Sequence, residues 1–131
     1  MRRVIAVGVV LVLAVGSLRG LGEEPDKESA LMKKKLEHAQ KVLEGIAVAD
    51  YKKIAGSAEE LIEISKAAEW KSAVKSPRYE LYSSEFRRVA DSLAGKAREK
   101  NLDGAALAYV ELTLTCVKCH KHVREVRMVR R

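Results

Sequence analysis

Residues 102–126, LDGAALAYVELTLTCVKCHKHVREV, decide how this chain is read. Ala105, Tyr109, Leu112, Cys116, Cys119, Val123 and Val126 recur at spacings of three and four, which puts them on one stripe of a helix. The same stretch holds both cysteines of the chain and two of its three histidines. An amphipathic helix cannot bury its apolar stripe alone, so the rest of the chain has to supply partners for it.

The preceding sequence supplies three more helices. The first starts near Asp26 or Ser29, either a suitable N-cap, and carries Met32, Leu36, Ala39, Leu43 and Ile46 on one face. Gly45 weakens its end, and Asp50 caps the next helix. That second helix spans residues 51–73 and ends where Ser76-Pro77 disfavours helical backbone. The third, residues 77–100, lines up Tyr79, Tyr82, Phe86, Val89, Ala90, Leu93 and Ala97. Asn101-Leu102-Asp103 forms the last turn, with Asp103 as the expected cap. No strand alternation and no repeat is evident. The expected fold is all-α, an antiparallel up-down-up-down four-helix bundle with short connections. Its alanine-rich faces, with one Phe and one Trp in the chain, leave room between helices at one end for a flat prosthetic group.

The chain has 131 residues and a net charge of +7, room for one small domain. Met1-Arg2-Arg3 precedes an uncharged apolar run of fifteen residues, Val4 to Leu18. A basic start, an apolar stretch of that length and small residues beyond it make a secretory signal peptide, placed at residues 1–22. Arg19 interrupts the run before the roughly 20 residues that a membrane span needs. Cleavage after Gly16 or Gly22 fits equally, and retention as an anchor is the alternative. Residues 23–131 then form the domain, with 22 basic against 18 acidic residues. A charge of +4 without clustering speaks against nucleic-acid binding. Export places the cysteines in the periplasm or another compartment outside the cytoplasm, and no membrane insertion is expected after cleavage.

Cys116-Val117-Lys118-Cys119-His120 reads C-x-x-C-H, the attachment pattern of c-type haem. Cysteines three apart on a helix stand about 5–6 Å apart at Cβ, close enough to reach two vinyl groups on one porphyrin edge. His120, about 100° further round, can present its ring to the iron as proximal ligand. Two other chemistries compete. A redox disulfide of thioredoxin type belongs at a strand-to-helix turn, and this motif lies deep in a helix. Zinc needs four converging ligands, and His122 lies about 200° from His120 on the wheel, facing solvent.

With four helices and C-x-x-C-H in the last of them, the chain resembles the class II c-type cytochromes, the cytochrome c-prime family, from about Pro25 to its end. Arg124, four residues after His120, matches a position where that family commonly has arginine. The resemblance implies one covalent haem c held by Cys116 and Cys119, with His120 on the iron. Low-spin members take a Met from the start of the first helix as second ligand and transfer electrons, and Met32 stands at that place. Five-coordinate members leave that side open and bind NO or CO. Met32 as gap-filling core is the plainer alternative. His38, about 240° from Met32, is expected on the polar face with Lys34 and Lys41. Tyr109, Leu36 and Phe86 are expected to line the haem pocket, and Arg124 to contact a propionate or the proximal ligand. Trp70 reads as a packing or rim residue. The expected partners are redox proteins, and the exposed lysines around Lys33 to Lys35 would steer an acidic one. Family members are often dimers through their first two helices, but no specific apolar outer patch is evident in the sequence. Neither a nucleophile–base pair nor paired carboxylates suggest an enzyme.

Overall fold

The computed structural model describes residues 27–67 and 76–129. Helices α1 (Lys27–Ala47), α2 (Tyr51–Ser65), α3 (Pro77–Arg98) and α4 (Leu102–Val129) are packed together, and no strand occurs among the described residues. The second helix, expected to run to residue 73, ends at Ser65 with Lys66 as its C-cap. The expected signal peptide, Trp70 and residues 68–73 lie outside the described residues. Since α1 already begins at Lys27, Ser29 lies inside it and does not cap it.

Each later helix starts on a side chain that accepts an otherwise orphaned N–H. Asp50 Oδ1 accepts from Lys53 N at 3.0 Å, and Ser76 Oγ accepts from Tyr79 N at 3.1 Å, with Pro77 at the first helical position. Before α4 the cap is Asn101, whose side-chain oxygen accepts from Gly104 N at 2.8 Å. Asp103 was the expected cap; it sits in the first turn instead, where its carboxylate complements the positive end of the helix dipole.

The two short corners are built alike. In the first, Asp50 N donates to Gly45 O at 2.8 Å and Ala49 N to Ile46 O at 3.3 Å. In the second, Asn101 N donates to Lys96 O at 2.9 Å and Lys100 N to Ala97 O at 3.0 Å. This nested pair is the Schellman motif, and it requires left-handed backbone at Ala49 and Lys100, both at φ 56°. The next residue at once caps the following helix. The backbone thus repeats a helix–corner–helix unit that the sequence does not reveal.

Val42, Ile54, Leu61, Phe86, Val89, Leu93 and Leu112 form the centre of the core, interleaved with Ala58, Ala90, Ala94, Ala97, Ala105 and Ala108. Small residues let helices approach closely. At Gly45 two helices meet closely: a Cβ there would stand 2.8 Å from Ile54 Cγ1 and 3.2 Å from two backbone atoms of the second helix's start. The weak helix-former at that point therefore serves the α1–α2 contact.

Neighbours in the chain are neighbours in space: α1 packs on α2, α2 on α3 and α3 on α4, while α1 touches α4 only sparsely. Ion pairs follow the same order, with Lys53–Glu44, Arg98–Glu59, Arg88–Glu111 and Lys118–Glu85 each joining consecutive helices. Exposed pairs of this kind contribute little, about 0–1 kcal/mol each. The bundle is open along the α1–α4 edge.

That opening explains a departure in α1. The buried positions are Val42 and Gly45, whereas Leu36 and Leu43 of the expected apolar face are 59% and 51% exposed. At about 100° per residue, Met32, Leu36, Ala39 and Leu43 stand roughly 60–120° to one side of Val42. Gly45, which meets α2, stands to the other side. The apolar face of α1 is turned away from α2, along the open edge.

Candidate functional site

Cys116 and Cys119 follow the buried Leu112 and Thr115 on α4 and are both free thiols, Cys116 exposed and Cys119 half-buried. Which way they face follows from their neighbours. Glu111 and Lys118, ion-paired to Arg88 and Glu85 of α3 at 3.1 Å each, point roughly 100–120° to one side of Leu112. Tyr109, Cys116 and His120 point about 40–80° to the other side, away from α3. Among the described helices, the other one that packs beside α4 is α1. The structure therefore turns Tyr109, Cys116 and His120 of α4, and Met32, Leu36 and Leu43 of α1, toward one open edge.

Lys35 occupies the ground between them. Its Nζ stands 3.8 Å from the ring centroid of Phe86, a buried residue of α3, in cation–π geometry. Burial holds its pKa below the ordinary lysine value, while the neighbouring Cys116 and Cys119 pull the other way. Both thiols are pushed up by burial, with Lys35 opposing. They are thiols at neutral pH, not the activated thiolates that act as nucleophiles. Tyr79 of α3 is pushed up to about 12, mainly by burial and next by Cys119. Tyr109 is raised by burial and then by Cys116.

His120 reaches solvent, yet partial loss of hydration lowers its pKa, and the positive charges of Arg124 and Lys35 lower it further. A neutral imidazole results, with a lone pair available to a metal. Arg124 lies one turn beyond His120 and is itself exposed.

Two histidines depart from expectation. His122 is buried, not solvent-facing: its Nε2 is 3.2 Å from Ser76 Oγ and its ring meets Tyr82 edge-on, centroids 5.8 Å apart. The capping hydroxyl of α3 gives this imidazole a polar partner, so its burial leaves no orphaned nitrogen there. His38 is half-buried, with its Nδ1 out of water and without a hydrogen-bond partner. It lies on the Gly45 side of Val42, toward α2, and so does not share the open edge with Met32. Lys34 and Lys41 of the same expected polar face stay exposed, so only His38, the one nearer Val42, is drawn partly inward.

Among the described residues no group of three or more His, Cys, Asp or Glu side chains converges as a metal site. No described helix is long and apolar enough to cross a membrane. Two surface depressions, about 550 and 290 Å³, lie further along α4 around Lys121–Met128 and His122–Val129, and neither is lined by a cysteine. Lys35 and Tyr79 are the site residues that the sequence reading missed. Lys35 carries one legible signal: it is spaced seven residues before Val42, on the face that α1 buries. No family model matches the chain, and no curated protein or solved structure matches it either.

Proposed function

We propose that this chain is an exported monohaem c-type cytochrome, of the class II kind, that passes single electrons between redox partner proteins. The bundle is then antiparallel, up-down-up-down, with one haem c at the α1–α4 edge. The observation that carries the reading is the coincidence of C-x-x-C-H with an edge of the bundle that the described residues leave open and wall with exposed apolar side chains. Bound there, the haem supplies an iron that cycles between ferrous and ferric states.

The chain's own residues fit that group. Cys116 and Cys119 are unpaired, on one helical side and in the thiol form. Each S–H would add across a vinyl double bond of that group, forming a thioether with no external oxidant. His120 is neutral and offers its lone pair on the same side. Leu36 and Leu43, now half-exposed, would be covered and would keep water from the site. Met32 is half-buried on that edge of α1 and would be the chain's second ligand to the iron. Arg124 and Lys35 supply positive charge for a propionate. Lys33 and Lys34 are exposed and would steer an acidic partner. Residues 1–22 direct export.

The test is a mass spectrum and an optical spectrum of the purified full-length protein. The expected result is one covalently bound haem and a low-spin ferrous form that resists CO. Met32→Ala should turn it high-spin and CO-binding. A wild type that is high-spin and takes up CO at once would instead make it the five-coordinate gas-binding kind, with Met32 beside the iron. Absence of covalent haem in cells competent for cytochrome c maturation would sink the whole reading.

A further inference from the structure

The outer face of α4 carries a second apolar stripe. Leu107, Val110, Leu114 and Val117 are 73%, 56%, 55% and 44% exposed. Their spacing of three, four and three is that of a heptad seam. On the helical wheel the seam stands opposite the buried Leu112, so it faces away from the bundle. Asp103 and Lys121 bracket it on the same meridian, four residues beyond each end, and both are exposed. Neither forms an ion pair with another described residue.

The six positions are symmetric about residue 112. Reversing the helix against itself sets Leu107 on Val117, Val110 on Leu114 and Asp103 on Lys121. We propose that a second copy of this chain docks here, its α4 antiparallel to the first about a two-fold axis at the level of Leu112. Leu107 then meets the partner's Val117, Val110 meets the partner's Leu114, and Asp103 pairs with the partner's Lys121 at both ends. A two-fold interface has to be self-complementary, and this seam is so in both shape and charge. An anionic membrane surface fits it poorly, because such surfaces select basic flanks and Asp103 stands at one end. A single helix pair belongs among small interfaces, under about 1,200 Å² in total, so the dimer forms with rising concentration. The seam lies on the far side of α4 from Cys119 and leaves the open α1–α4 edge uncovered. The proposal needs only α4 and stands apart from the haem reading.

The test uses the full chain as purified, followed by sedimentation velocity from micromolar to near-millimolar concentration. A monomer–dimer equilibrium is expected. Carbodiimide coupling, which joins a carboxylate to an amine in contact, should link Asp103 to Lys121. Within one helix these residues are about 27 Å apart, so such a link is between chains. Leu114→Glu should weaken association at least tenfold with the helical spectrum unchanged. Asp103→Lys should weaken it too, and Asp103→Lys with Lys121→Asp should restore it. A chain that stays monomeric overturns the proposal, and binding of that monomer to vesicles of mixed phosphatidylcholine and phosphatidylglycerol would assign the face to a membrane. A dimer without the 103–121 link, or one indifferent to Leu114→Glu, overturns it as well.

Discussion

Replacing glycine by alanine should have opposite effects at different points of this bundle. Inside a helix the change ordinarily stabilises by about 1 kcal/mol, since alanine has the better helix propensity. Gly56 of α2 and Gly95 of α3 have nothing within 4 Å of the added Cβ, and both should show that gain. At Gly45 the new methyl would meet Ile54 Cγ1 at 2.8 Å and Asp50 O and Ile54 N at 3.2 Å. Ile54 is fully buried, so its side chain cannot swing clear, and backbone atoms do not yield at all cheaply. Overpacking of this kind costs about 1–3 kcal/mol, and contact with three atoms argues for the upper half of that range. The net effect of Gly45→Ala is then a loss of about 1–2 kcal/mol, against a gain of about 1 kcal/mol for Gly56→Ala. Urea unfolding followed by helical circular dichroism measures both, and the slope with denaturant should not change. In a domain of this size each kcal/mol moves Tm by about 4–8 °C. If Gly45→Ala stabilises as much as Gly56→Ala, the close approach of α1 to α2 is wrong. The orientation of Met32 and Leu36 along the open edge would fall with it.

Other outcomes follow from the corners and the buried polar groups. Lys100→Gly relieves left-handed backbone at φ 56° and should stabilise by about 0.5–1 kcal/mol in the same assay. Ser76→Ala removes both the cap of α3 and the partner of His122, and should cost about 1–2 kcal/mol, with Ser76→Thr recovering most of it. Tyr79, whose pKa lies near 12 in the folded state against 10.0 ordinarily, favours folding fully below pH 10 and loses that contribution as pH rises toward 12. Urea midpoints measured across that range should fall more steeply for wild type than for Tyr79→Phe.

The four helices were legible because long amphipathic periods and turn residues coincide, as at Asp50 and Ser76-Pro77. The phase of α1 was not. Periodicity gave the stripe Met32-Leu36-Ala39-Leu43-Ile46 and left open whether it meets protein or open edge. Lys35 and His38 could take inward positions because a long or amphipathic side chain tolerates partial burial. His122 looked exposed because its partner Ser76 is 46 residues away and invisible to local pattern. Asp103 and Asn101 are both good caps by type, and the corner hydrogen bonds decided for Asn101. At the site, C-x-x-C-H was readable from spacing alone. Its setting beside Lys35 and Tyr79 was not, since those contacts join residues far apart in the chain.

The paired corners also bear on how parts of the molecule open. Cys116, Cys119, His120, Tyr79 and Phe86 all belong to the α3–α4 unit, while Met32 and Lys35 come from α1. Because α1 adds only Val42 to the buried apolar core, while α4 adds Ala105, Ala108 and Leu112, α1 is the helix whose detachment disturbs that core least. Its amide protons should exchange with solvent faster than those of α3. Cys116, Cys119 and His120 would then ride on the slowly exchanging half of the chain, and Met32 on the fast one. On the proposed haem reading, a ligand would come and go at Met32 on the timescale of one helix loosening, while the two cysteines kept the group attached.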